Sequence, residues 1–226
     1  INLSMPYKQA VIPYLDDLTE SARLIGAVNT VLHQDGLLIG HNTDGIGFFK
    51  SLETLRAFHV RNKRLTILGG GGASTAIIAQ AAIDGAKEIT IFCRPQSVER
   101  TVATVQTIAQ STGVSLQVLP NNDSQLLAEH INNSDLLING TSVGMDGTSL
   151  PLPATIRFPE ELLVADVIYQ PFETPLLKMA NSQGNPTING LGMLLFQAAE
   201  AFELWTGKEM PTDLIWQLLV QKYDIK

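Results

Sequence analysis

The chain has 226 residues, 45% of them hydrophobic and 16% charged, and carries a formal net charge of −7. These values are typical of a soluble globular protein with two compact lobes, and the negative charge argues against a nucleic-acid partner. No apolar run reaches the roughly 18 residues that span a bilayer, so no membrane partner is expected. The single cysteine, Cys93, excludes an internal disulfide and favours the reducing cytoplasm. The four histidines show no metal-ligand spacing, so no metal is expected.

The first part of the chain predicts short elements around one hairpin. Asn2-Leu3-Ser4 is typical of the end of a strand already under way, so we expect a domain whose beginning is missing. Gln34-Asp35-Gly36 between two apolar runs predicts a β-hairpin turn. The predicted elements are a helix over 7–17 that is interrupted near Pro13, a helical turn over 21–25, hairpin strands over 28–32 and 37–40, and a helix over 45–58.

Strands and helices then alternate strictly. Predicted strands cover 65–68, 88–92, 116–118, 136–138, 163–168 and 186–188, and predicted helices cover 73–83, 98–111, 124–132 and 175–183. A long helix follows Gly192 and a last one covers 211–222; we expect both to cross back to the first lobe. The fold class is therefore α/β, with a Rossmann-like, doubly wound parallel sheet and a smaller α/β substrate-binding lobe. Residues 1–44, completed by helices in 197–226, would form the substrate-binding domain, and 45–196 the dinucleotide-binding domain.

Three polar residues in the first lobe suggest a ligand site. Lys8, Asn29 and Asp44 lie in short, tight apolar settings, and together they can converge on a small polyhydroxylated molecule. Two plainer interpretations compete with this one. Lys8 could be a solvated lysine at a helix start, and Asp44 could cap the helix that follows it. Asp44 could also both cap that helix and bind the ligand.

A glycine-rich turn predicts a dinucleotide site. The run from Gly69 to Gly72 lies between a strand and an alanine-rich helix, where glycines let the backbone approach a pyrophosphate. No Asp or Glu stands at the end of the next strand to accept from a ribose 2′-hydroxyl, whereas Arg94 could pair with a 2′-phosphate. The expected cofactor is therefore NADP, with NAD possible, and an exposed arginine at a loop start is the alternative for Arg94.

Six ordered motifs resemble the shikimate dehydrogenase family over essentially the whole chain, and are most similar to its quinate/shikimate dehydrogenase branch. Besides the glycine loop they are Ser4-Met5-Pro6-x-Lys8, Gly26-Ala27-Val28-Asn29-Thr30, Asn42-Thr43-Asp44-Gly45, Asn139-Gly140-Thr141-x-x-Gly144-Met145 and Gly190-Leu191-Gly192-Met193-Leu194. The resemblance implies reversible reduction of 3-dehydroshikimate to shikimate with a nicotinamide cofactor, a step of aromatic amino-acid and chorismate biosynthesis.

The resemblance also implies roles for individual residues. Lys8 would be the catalytic lysine and general acid/base, with Asp44 as its partner on the neighbouring hydroxyl, while Ser4, Asn29, Tyr169 and Gln197 would hold the substrate. The cofactor positions would be Gly70, Gly71, Gly72, Ala73, Cys93, Arg94, Pro95, Gln96, Thr141, Ser142, Val167 and Gly190.

Two departures from the family pattern leave alternatives open. The family's amino-terminal strand–helix–strand region, with a serine pair for the substrate carboxylate, is absent, so we expect dinucleotide binding with poor turnover. Gln96 stands where the quinate/shikimate branch usually has an acid, which leaves NAD and quinate open. A dinucleotide-binding sensor and a folate-type dehydrogenase are further alternative functions. The protein is expected to be a monomer or a homodimer.

Overall fold

The computed structural model describes residues 1–223 and contains a three-stranded and a six-stranded sheet. Residues 224–226, which end the predicted 197–226 segment, lie outside the described residues. The first elements in the chain are α1 (Tyr7–Ala10), a 3₁₀ turn (Ile12–Tyr14), β1 (Asp17–Leu18), α2 (Glu20–Ile25), β2 (Thr30–Gln34), β3 (Leu37–His41) and α3 (Asp44–Arg56).

The predicted hairpin is present, formed by β2 and β3. Asp35 and Gly36 both have positive φ, at 52° and 84°, and such two-residue turns match the twist of the strands that they join. β1 pairs in parallel with β3 and was not predicted, because two residues carry no periodicity. The predicted helix over 7–17 is shorter than expected: α1 ends at Ala10 and Leu15 is extended beyond the 3₁₀ turn that contains Pro13.

The large sheet is parallel throughout. Its strands run in the order β6-β5-β4-β7-β8-β9, so β4 and β7 are neighbours although two strands separate them in the chain. This is the doubly wound order in which the direction of winding reverses between the first and fourth strands. The elements are β4 (Arg64–Leu68), α4 (Gly72–Ile83), β5 (Glu88–Cys93), α5 (Val98–Thr112), β6 (Ser115–Pro120), α6 (Ser124–Asn132), β7 (Leu136–Asn139), β8 (Leu163–Asp166), α7 (Pro175–Ser182) and β9 (Thr187–Ile188).

The central strands are buried on both faces. All four residues of β7 and of β8 are buried, as expected for short apolar runs that helices cover on both sides. One apolar cluster joins the sheet to α3, α4 and α5, and a second joins it to α6 and α7. The structure therefore confirms the predicted α/β class, a doubly wound parallel sheet beside a smaller sheet.

The last two described helices are α8 (Leu191–Thr206) and α9 (Thr212–Tyr223), and α8 contacts the small sheet. Trp205 donates its indole N–H to the carbonyl of Val31 in β2 at 3.1 Å. α8 also packs closely along α3, since a Cβ on Gly47 would collide with the backbone of Gln197. Within residues 1–223, no helix has both the length and the apolar character that crossing a membrane requires.

Candidate active site

A lysine–aspartate ion pair lies between the two sheets. Lys8 is on α1 and Asp44 is the first residue of α3, and their Nζ and Oδ2 atoms are 2.6 Å apart. The side chains are 27% and 14% exposed, so solvent reaches both but surrounds neither. Thr43 is the residue that precedes α3, and the Asp44 carboxylate faces Lys8 instead of capping the helix. The two residues therefore form a shielded pair, not separate surface groups.

Asn29 fixes the other oxygen of this aspartate. Its Nδ2 donates to Asp44 Oδ1 and to Thr43 Oγ1, both at 2.9 Å. Its Oδ1 accepts from the Thr43 backbone N–H at 2.9 Å and from the Thr30 hydroxyl at 2.9 Å. Because Oδ1 is held by two donors, the amide cannot turn over, and Nδ2 stays directed toward Asp44.

α8 contributes Gln197 to the same place. Gln197 Oε1 is 3.5 Å from Asn29 Nδ2, and its backbone carbonyl accepts from the Thr43 hydroxyl at 3.0 Å. These residues border a cleft of about 450 Å³. The cleft is lined by Asn2, Leu3, Ser4, Lys8, Asn29, Asp44, Val167, Tyr169, Gly190, Met193, Leu194 and Gln197.

The structure thus brings together all six residues predicted as catalytic or substrate-binding. Val167 and Gly190, predicted as cofactor positions, also line this cleft. Asn2 and Met193 were not singled out from the sequence, although each belongs to or adjoins a quoted motif. The arrangement offers a proton donor, a fixed carboxylate and two amides to one small ligand.

A second groove of about 390 Å³ lies at the carboxyl ends of β4, β5 and β7. It is lined by Leu68, Gly69, Gly70, Gly71, Phe92, Cys93, Arg94, Ser97, Arg100, Thr101, Asn121, Gly140, Thr141, Ser142, Val143 and Pro151. Six predicted cofactor residues are in this set. Of the other six, Val167 and Gly190 line the cleft, and four line neither cavity: Gly72 and Ala73 form the first turn of α4, and Pro95 and Gln96 belong to an exposed 3₁₀ turn.

The glycines of this groove divide into two kinds. Gly69 has φ +97°, and a Cβ on Gly70 would collide with Thr101, so the fold itself requires both. A Cβ on Gly71 or Gly72 would meet nothing within 4 Å. Neither has positive φ, so the protein alone gives no reason for glycine there. The open space lies before the N-terminus of α4, where free amides favour a phosphate, so a dinucleotide fits this groove.

Charge at the far end of the groove is positive. Arg94 follows β5 and Arg100 lies in the first turn of α5; both side chains are exposed at the groove. Among the described residues that line the groove, none is Asp or Glu. Arg100 was missed from the sequence, because only the 3₁₀ turn after Arg94 brings the start of α5 to the groove.

A buried polar pair joins the ends of β7 and β8. Asn139 Nδ2 donates to both carboxylate oxygens of Asp166 at 3.1 Å, and the residues are 0% and 1% exposed. Burial raises the pKa of Asp166 to about 6, against hydrogen bonds from Ile168 N–H, Asn139 and Thr174 that lower it. The predicted strand over 163–168 therefore ends at Asp166, whose side chain accepts from the Ile168 N–H.

Comparisons with known proteins agree with this geometry. Residues 1–31 match the shikimate dehydrogenase substrate binding domain, and residues 190–220 match the shikimate 5′-dehydrogenase C-terminal domain. The chain is 83% identical to a shikimate dehydrogenase (NADP(+)) of Streptococcus suis strain 05ZYH33, over 100% of this chain and 78% of that protein. A curated shikimate dehydrogenase (NADP(+)) of Streptococcus mutans is 58% identical, over the same shares.

A solved structure is also similar. A crystal structure of shikimate 5-dehydrogenase from Listeria monocytogenes, in complex with shikimate and NAD, superposes with a TM-score of 0.91. The two chains are 44% identical, and the alignment covers 96% of this chain and 76% of the Listeria chain. Identities of 44% to 83%, each over at least three quarters of the relative's length, establish the family. The chain belongs to the shikimate dehydrogenase family.

Proposed function

We propose that the protein catalyses the reversible, NADP(H)-dependent reduction of 3-dehydroshikimate to shikimate, with Lys8 as the general acid/base. The observation that carries the proposal is the 2.6 Å pair of Lys8 and Asp44 in a cleft that Asn29 and Gln197 also line. The names of the relatives support shikimate as the substrate, and those of the streptococcal relatives support NADP as the cofactor.

Proton transfer is the part of the reaction that these residues perform. When a ring ketone is reduced, Lys8 Nζ gives its proton to the carbonyl oxygen as the carbon accepts a hydride. Asp44 keeps the ammonium oriented through Oδ2, while Oδ1 is held by Asn29. In the reverse direction a neutral Lys8 takes the proton from the alcohol, so alkaline conditions favour oxidation.

The nicotinamide cofactor supplies the hydride when bound. In this proposal Gly71 and the first amides of α4 hold the pyrophosphate, and Arg94 with Arg100 holds the ribose 2′-phosphate. Thr141 and Ser142, which follow β7, border the groove, and Val167, which follows β8, borders the cleft together with Gly190. Because β7 and β8 are paired, the cofactor groove and the substrate cleft lie beside neighbouring strands.

We also propose the division of labour expected from the sequence. Residues 1–44, completed by helices in 197–226, form the substrate-binding domain, and residues 45–196 form the cofactor-binding domain, which also lends Tyr169 to the substrate cleft. The two separate sheets support this division, and so does the groove, whose described lining residues all lie within 45–196. We further propose a cytoplasmic enzyme that is a monomer or a homodimer.

The test is a spectrophotometric assay of the purified protein with shikimate and NADP⁺, followed at the nicotinamide absorbance band. We expect reduction of NADP⁺, with lower kcat/KM for NAD⁺ and for quinate. Lys8→Ala should lower kcat by about a thousandfold with little change in KM, because it removes a group that acts in the transition state. Lys50→Ala is the matched control, since it removes a lysine that is paired at 2.6 Å with Glu200 outside the cleft.

Each alternative has its own outcome. An unchanged kcat in Lys8→Ala would overturn the proton-donor role. Preference for quinate would reassign the substrate, and preference for NAD⁺ would overturn the role given to Arg94. Cofactor binding without turnover of either substrate would make the protein a dinucleotide sensor.

A further inference from the structure

The loop after β7 is held by one buried side chain. Asn139 Oδ1 accepts from the backbone N–H of Thr141 at 3.1 Å and from its hydroxyl at 2.7 Å. Asn139 Nδ2 also donates to the carbonyl of Val143 at 3.0 Å. Thr141 and Val143 line the cofactor groove, so Asn139 sets the shape of one wall of that groove.

The loop after β8 is held in the same way. Asp166 Oδ1 accepts from the Ile168 N–H at 3.0 Å, and Oδ2 accepts from the Thr174 hydroxyl at 2.8 Å. The segment from Asp166 to Thr174 carries Val167 and Tyr169, which line the substrate cleft. Asp166 therefore fixes both ends of a wall of the cleft.

The two anchors are bonded to each other by the Asn139–Asp166 contact described above. Among residues 1–223, every donor to this carboxylate is neutral, and a carboxyl buried without a cation costs stability. Apolar residues at the two strand ends would fill the core without that cost, but they would leave the loop amides and hydroxyls without partners. The pair is therefore the part of the fold that satisfies the polar groups of both loops.

We propose that Asp166 and Asn139 are positioning residues that hold the cofactor-groove loop and the substrate-cleft loop in one fixed register. The proposal rests on the proposed function, in which a hydride must cross from one cavity to the other. A hydride transfer needs its two reacting carbons at a fixed, close separation, which depends on both loops at once. Neither residue touches the ligands; both act through Thr141, Val143, Val167 and Tyr169.

The test is the variant Asp166→Asn, which has nearly the same shape but directs an NH₂ group at one of the donors that the carboxylate accepts. We expect KM for shikimate and for NADP⁺ each to rise about tenfold and kcat to fall as well. The Kd of NADP⁺, measured by titration calorimetry without shikimate, should rise by a similar factor. A role confined to stability would lower Tm and leave all four constants unchanged.

Ser134→Ala is the control for lost stability. It removes a half-buried hydroxyl that is 2.7 Å from Thr66 Oγ1 and lies before β7, at the other end of the strand. We expect a lower Tm with wild-type constants. If Asp166→Asn behaves like this control, the positioning role is overturned.

Substitutions of Thr174 provide a second test of the proposal if Asp166→Asn folds poorly. Thr174→Val removes the hydroxyl that holds Asp166 Oδ2, whereas Thr174→Ser keeps it. We expect the valine variant to raise KM for shikimate severalfold and the serine variant to restore the wild-type value; equal values in both would contradict the proposal. If the wild-type protein oxidises no shikimate, the proposed function fails, and the Kd of NADP⁺ in Asp166→Asn still judges the loop proposal.

Discussion

At the scale of single residues, Asp166 is a charged group kept in the core by neutral partners. Its hydrogen bonds come from an amide, a backbone N–H and a hydroxyl, and its side chain is almost without solvent contact. Burial outweighs these bonds and raises its pKa from 3.8 to about 6. The folded protein therefore prefers the neutral acid over a pH range in which the unfolded chain is ionised.

This preference predicts a specific dependence of stability on pH. Because the folded pKa is raised, the contribution of Asp166 to stability is fully present below about pH 4 and is lost as pH rises through about 6. The free energy of unfolding of the wild type, minus that of Asp166→Asn, should fall by at most about 3 kcal/mol between pH 4 and 7. Urea unfolding across this range measures the difference. Asp213→Asn, on exposed α9, is the control, and a constant difference for Asp166→Asn would contradict the raised pKa.

Prediction from sequence was uneven at this scale. Lys8, Asn29 and Asp44 were found because each lies in a recognisable motif, and all three do meet in the cleft. The hydrogen bonds that orient Asn29 were not foreseen, since Thr43 lies 14 residues further along the chain and becomes a partner only when the start of α3 meets β2. Asp166 was missed because a single aspartate after an apolar run does not distinguish a buried anchor from a loop residue.

At the scale of elements, the turn between β4 and α4 contains one glycine that the packing requires and one that only ligand binding explains. Gly70 is required by the packing of Thr101, while Gly71 has open space beside it in the groove. The two glycines are adjacent in sequence, and only the structure distinguishes them.

Substitution at these two glycines should have different effects. Gly71→Ala should leave the free energy of unfolding within about 1 kcal/mol of the wild type, since its φ of −85° suits any L-residue. The same change should raise the Kd of NADP⁺ at least tenfold, because the new methyl group occupies the approach of the pyrophosphate. Gly70→Ala is the contrast and should lose stability as well. Titration calorimetry and urea unfolding measure both quantities; wild-type NADP⁺ affinity in Gly71→Ala would refute the assignment.

Longer elements were predicted well, for a physical reason. Continuous apolar runs such as 65–68 and the polar turn at 34–36 are local signals that survive in any tertiary context. β1 depends instead on β3, which lies 20 residues further along the chain, and the end of β8 depends on the side chain of Asp166. Local patterns contain no information about such partners.

At the scale of the whole molecule, the two lobes share packing. Ile25 and Ala27 of the first lobe belong to the same apolar cluster as the strands of the large sheet, and α8 runs along α3. A ligand held by either lobe therefore stabilises a structure that both lobes build.

Cofactor binding should accordingly raise the stability of the entire protein. At a free NADP⁺ concentration 100 times its Kd, the free energy of unfolding should rise by about 2.7 kcal/mol, seen as a higher Tm in one transition. NAD⁺ at the same concentration should give a smaller shift, because Arg94 and Arg100 then lack the 2′-phosphate. Arg94→Ala should reduce the difference between the cofactors, with Lys50→Ala as the control. Equal shifts for NADP⁺ and NAD⁺ in the wild type would argue against the arginine pair.

The hydrogen bond from Trp205 to Val31 makes tryptophan fluorescence sensitive to the contact between α8 and the small sheet. Only two tryptophans occur in the chain, Trp205 and Trp216, so Trp216→Phe leaves a single tryptophan, which can be excited apart from the four tyrosines. The indole of Trp205 is 41% exposed and its N–H is bonded to the small sheet, so its emission depends on the contact between α8 and β2. Fluorescence from this one side chain therefore registers separation of the closing helix from the substrate lobe without any attached dye.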